Sequence, residues 1–172
     1  MRVQKIALLG ILTAMTIVIA VLESFIPSVG IPGVKLGLAN IMILVILYEL
    51  GVVDAIIVDL LRVVAVGLIR GTILSMGFFM SLAGATMSLG IMILFHLLIK
   101  KFSIIGVSVI GSLFHVTGQV LVAMIYLGTA YIMYYLPIIA ISAIITGVLV
   151  GITAKLVINT GVIRKQREKY KF

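Results

Sequence analysis

The sequence predicts an all-α integral membrane protein, a bundle of six transmembrane helices with both termini in the cytoplasm. Three observations lead there. The first is composition. Of 172 residues 63% are hydrophobic and only 10% are charged, and a soluble domain of this length has too little interior to hide that much apolar side chain, so the solvent must be lipid. The second is the succession of apolar runs over about 6–22, 36–50, 52–70, 72–99, 104–127 and 136–158, joined by short connections. Nothing is left over for a soluble domain, so residues 1–172 read as a single transmembrane domain ending in a basic cytoplasmic tail over 159–172. The third is the placement of charge. With six spans, Arg2, Lys5, Lys100, Lys101, Lys155 and the five basic residues of the tail share one side, against Lys35 and Arg70 on the other. That bias places the termini inside and the chain in the cell membrane as a multi-pass protein. The net charge of +8 is therefore an orientation signal and not a nucleic-acid surface.

The first span opens after Arg2 and Lys5. Its apolar run is too long for a signal-peptide core and no A-x-A cleavage pattern follows, so it reads as retained. Gly10 and Ala14 make a small-xxx-small step on it. Such a step serves either packing within the bundle or docking of a partner membrane protein. Residues 23–35 hold two of the three prolines with two charges, Glu23 and Lys35, and read as an outer loop, with Glu23 in a position to pair with Lys35. The second span is short and begins near Lys35 and Asn40, the latter suited to cap or clasp a neighbouring helix. Gly51 separates it from the third. In the fourth, Ser81 with Ala85 and Gly84 with Ser88 form interleaved small-residue steps, which marks a helix packed among neighbours. The fifth carries His115 and Gln119. A short connection with Tyr131, Tyr134 and Tyr135 has the aromatic character of a membrane interface. Ala143, Gly147 and Gly151 give the sixth a second close-packing stripe.

The third span organises the chemistry. Asp59 and Arg62 lie well inside its apolar length. Each charge near a bilayer centre costs about 2.5–3.5 kcal/mol on insertion scales, so something must offset them. At i and i+3 they share a helical face and are placed to form an ion pair. That pair is either a structural clip or the wall of a polar cavity where Arg62 meets an anionic ligand. His115 and Gln119, at i and i+4, likewise share a face, as a helix–helix clasp or as ligand contacts. Together with Lys35, Asn40 and Tyr134 they make the candidate ligand-binding set, in which cationic donors outnumber acids.

Catalysis finds little support. Five acids are spread along the chain without the Asp-rich DDxxD arrangement that holds magnesium diphosphates. Two histidines without an HExxH pattern give no metal site. There is no phosphate-binding glycine loop for ATP, and no cysteine for thiol chemistry or disulfides. No catalytic residue, metal or cofactor is expected.

Several motifs recur in order: LESFIP (22–27), PGVKLGLAN (32–40), LLRV (60–63), SLAGATMS (81–88), HVTGQ (115–119) and YYLP (134–137). Together they make the chain similar to the heptaprenyl diphosphate synthase component I family, also called the Gx transporter family, over nearly its whole length. Val116 stands where that pattern often has asparagine. The resemblance implies a role beside the synthesis of a polyprenyl tail, as a non-catalytic membrane component with a separate catalytic subunit. In size and six-helix layout the family is also similar to the S components of energy-coupling-factor transporters. That likeness implies uptake of a small polar or anionic molecule (a vitamin, or a quinone- or isoprenoid-related compound) under a lid at 23–35, with a coupling transmembrane subunit docked at Gly10 and Ala14 and two ATPase subunits as partners.

Overall fold

The computed structural model describes residues 2–25, 35, 37–99 and 102–170. Most of the outer loop read as a lid, together with Lys100 and Lys101, lies outside the described residues. The described residues are all-helical: α1 (Arg2–Glu23), α2 (Asn40–Glu49), α3 (Val52–Ile69), α4 (Met76–Leu98), α5 (Ile104–Leu127), a 3-10 turn (Ala130–Tyr135), α6 (Leu136–Asn159) and α7 (Val162–Tyr170).

Four segments are long and apolar enough to cross a membrane: Val3–Glu23, Met76–Leu98, Ile104–Leu127 and Ala130–Asn159. The other two elements read as spans differ for physical reasons. With 10 residues, α2 rises only about 15 Å, half the thickness of a hydrocarbon core. It starts four residues later than hydropathy suggests because Gly37 has φ +83°, a left-handed conformation that ends any helix running through 36–39. In α3, 18 residues long, Asp54, Asp59 and Arg62 depart from the apolar pattern of a simple span.

The short α2 is apolar on all sides and buried on all sides, as a helix without a polar face must be. Met42 to Leu47 form the centre of the main core together with Val58 of α3, Met92 of α4, Val107 of α5 and Ala154 of α6. The helices α4, α5 and α6 pack as consecutive neighbours, while α1 lies against α3. Small residues set these distances. A Cβ on Gly84 would stand 2.9 Å from the His115 carbonyl oxygen, and one on Gly147 2.8 Å from Val109 Cα. The backbones therefore approach more closely than any larger residue permits.

Local signals fix the helix ends. Ser75 and Ser103 cap α4 and α5 by accepting the N–H groups of Phe78 and Gly106. The Ser75 cap corrects the expected start of the fourth span at 72: Thr72 to Ser75 form a turn, with Leu74 at φ 62°. The basic tail, whose composition reads as solvated, packs on the bundle. Its α7 buries Ile163 in the main core, and Arg167 Nη1 donates to the Glu49 carbonyl at 2.9 Å. At the same end of the bundle Lys5 pairs with Asp54 at 2.8 Å, tying α1 to α3.

Candidate ligand-binding cavity

The cavity follows from where α3 puts its charges. Asp59 is 2% and Arg62 5% exposed, and their side chains meet at 2.5 Å, the i, i+3 pair that the spacing implies. Arg62 looks into a cavity of about 90 Å³ bounded by α1, α3, the start of α4 and α5. Two turns further along the same face, Arg70 lines the same space, as do Glu23, Lys35, Ser81 and His115.

A hydrogen-bond network holds the segment before α2 against the cavity. The Lys35 backbone N–H donates to Gln119 Oε1 at 3.0 Å, and Lys35 Nζ donates to Ser81 Oγ at 2.9 Å. Ser81 in turn donates to the Gly77 carbonyl, so its hydroxyl is used in both directions. Gln119 Nε2 lies 2.9 Å from His115 Nε2. Both side chains are buried, and only the glycine at 84 leaves room for them beside α4.

Glu23 behaves differently from expectation. Its carboxylate accepts the N–H groups of Gly37 (2.5 Å) and Ala39 (3.4 Å). It thereby satisfies backbone donors just before the start of α2, in the manner of a helix cap supplied from another helix. It does not pair with Lys35, whose ammonium turns to Ser81. Burial lowers the Lys35 pKa below the usual lysine range; Glu23 opposes the shift, and Arg62 and Arg70 add to it.

The electrostatic balance of this cavity is positive. Lys35, Arg62 and Arg70 line it together with Glu23, and Asp59 pairs with Arg62. Both carboxylates are engaged, one by two backbone N–H groups and the other by Arg62. Such a site can bind and orient an anion. Among the described residues no group of three or more His, Asp or Glu could hold a metal ion.

Of the residues picked from sequence, Lys35, Arg62 and His115 line the cavity, and Gln119 stands behind them holding Lys35 and His115. Asn40 is turned away as a clasp, its Nδ2 donating to Ser88 Oγ at 3.1 Å. Tyr134 does not line the cavity: it is 78% exposed and stacks on Tyr131 in the 3-10 turn. Gly10 and Ala14 are exposed, and a Cβ on Gly10 would meet nothing within 4 Å, so among the described residues no helix packs against Gly10. Ser81 and Glu23 also line the cavity, and no spacing in the sequence points to them as cavity residues. Arg70 carried a readable signal, since 62, 66 and 70 repeat at helical spacing.

Comparison with known proteins adds one finding. No curated protein and no solved structure matches the chain. Residues 12–157, most of its length, match heptaprenyl diphosphate synthase component I, and the chain belongs to that family.

Proposed function

We propose that this protein is a ligand-binding subunit of the cell membrane that takes a small anionic molecule into the cavity around Arg62. The observation that carries the reading is the cavity's surplus of cationic donors once Glu23 and Asp59 are engaged. In this reading α2 and α3 complete a six-element crossing with both termini in the cytoplasm, and the cavity opens toward the outer face. At about 90 Å³ the space is smaller than the roughly 300–1,000 Å³ of pockets for drug-sized ligands. It suits one charged group, such as the head of a phosphorylated isoprenoid, quinone precursor or vitamin. Uptake would follow the S-component scheme, with a coupling membrane subunit on the exposed Gly10–Ala14 face of α1 and two ATPases beneath it. The family name favours a second reading: a non-catalytic membrane component that works beside the catalytic subunit of a heptaprenyl diphosphate synthase.

One experiment separates the two. The tagged protein is extracted from its native membrane in mild detergent and its companions are identified by mass spectrometry. The transporter reading expects two ATPases and a membrane subunit, lost when Gly10 is changed to Leu. Recovery of a soluble prenyl synthase subunit without ATPases would replace it with the second reading.

A further inference from the structure

The hydrogen bonds behind the cavity determine which nitrogen of His115 carries its proton. A backbone N–H can only donate, so the atom of Gln119 facing Lys35 N is the amide oxygen. The other end of that amide is then an NH₂ group, which also only donates, and it faces His115 Nε2. That nitrogen must supply a lone pair. The network therefore assigns His115 as the neutral imidazole with its proton on Nδ1. His115 and Arg62 both line the cavity, and among the described residues His115 Nδ1 and Arg62 Nε are buried without a hydrogen-bond partner, as is Asp59 Oδ1, which meets Arg62 Nη2 at 2.5 Å as an ion pair. The ring also lies against Gly84 of α4, but among the described residues no hydrogen bond of ordinary geometry joins Nδ1 to the Gly84 carbonyl. Two buried donors without acceptors, in one cavity, are costly unless something supplies the acceptors.

We propose that the missing partner is an oxyanion, a fully ionised phosphate-type group carrying acceptors only, seated between Arg62 Nε–H and His115 Nδ1–H, with Gln119 as the positioning residue that holds the His115 proton on Nδ1. This deepens the anion-binding reading above and rests on it. The site accordingly discriminates by hydrogen-bond polarity as well as by charge. A ligand that presents an amide N–H, hydroxyl or ammonium hydrogen at this point meets two donors and is rejected.

The test is imidazole ¹⁵N NMR on the full chain in micelles, where His96 and His115 are the only histidines and His96→Gln assigns the spectrum. Without added anion, His115 should show a protonated Nδ1 and an unprotonated Nε2. Inorganic diphosphate should then shift the Nδ1 resonance. Gln119→Leu should let the Nε2-protonated form appear and weaken diphosphate binding about tenfold or more. Two substitutions of His115 provide a check that does not depend on Gln119. His115→Asn, whose amide reaches the Nδ1 position, should keep binding within about threefold, whereas His115→Gln should lose about tenfold. A proton on Nε2 in the unaltered protein, or equal binding by the Asn and Gln variants, overturns the proposal. Diphosphate binding without a shift at Nδ1 overturns this inference alone. Absence of diphosphate binding to the unaltered protein overturns the anion reading beneath it as well.

Discussion

Removing Arg62 or Asp59 singly should damage the fold, while removing both together should spare it and abolish anion binding. The two side chains are 5% and 2% exposed and meet at 2.5 Å inside an apolar helix. Truncating one partner leaves the other charge buried without compensation, a loss of about 3–5 kcal/mol in comparable buried pairs. Replacing both by apolar groups of similar volume removes the desolvation penalty along with the attraction, and is often neutral or stabilising by about 1–4 kcal/mol. The assay is a double-mutant cycle on Arg62→Met, Asp59→Leu and the pair, read by equilibrium unfolding in mixed micelles. The singles should each lose several kcal/mol and the double variant should recover most of it. Because Arg62 also lines the cavity, the folded double variant should bind diphosphate about tenfold or more weakly than the unaltered chain. Additive, small single effects would refute the buried-pair argument. A double variant that folds and binds diphosphate normally would refute the role given to Arg62.

Other perturbations follow from the same geometry. Glu23→Ala leaves the Gly37 and Ala39 N–H groups without their acceptor and should cost about 1–3 kcal/mol in thermal unfolding, with Glu23→Gln less damaging because one amide oxygen remains. On α4, Gly84→Ala forces a methyl to 2.9 Å from the His115 carbonyl oxygen and should lose about 1–3 kcal/mol, whereas Gly90→Ala, with nothing within 4 Å, should be neutral or slightly stabilising; unfolding midpoints of the two variants decide this. The lowered pKa of Lys35, set by burial against Glu23 and aided by Arg62 and Arg70, means that its charge is lost at a lower pH than for an ordinary lysine. Diphosphate affinity should therefore fall as pH rises through that lowered value, and Lys35→Gln should flatten this alkaline limb in a titration series.

Part of this architecture is legible from single residues and part is not. The range of α5 can be read because an apolar run lies between a capping serine at 103 and a glycine at 128 that adopts φ +64°. The Asp59–Arg62 and His115–Gln119 pairs are visible because helical spacing places i+3 and i+4 neighbours on one face. The start of α2 is not visible. Residues 36–39 are as apolar as the helix behind them, and what ends the helix is the conformation of Gly37 with its N–H on a carboxylate 14 positions earlier. The same distance hides the capping role of Glu23. In the tail, composition speaks for solvent, yet one isoleucine and one arginine bond to a carbonyl 118 residues away suffice to seat α7 on the bundle. Tyr134 shows the opposite failure. An aromatic cluster next to a span says where it sits along the membrane normal but not which way each ring points.

The central claim, that the cavity around Arg62 holds an anion, is tested most directly by native mass spectrometry of the protein purified from its own membrane. The expected result is a retained small molecule bearing a phosphate or similar oxyanion, present on the unaltered chain and absent from the folded Arg62→Met, Asp59→Leu double variant. A retained molecule that is neutral or cationic, or one that stays bound when both charges are removed, would contradict it.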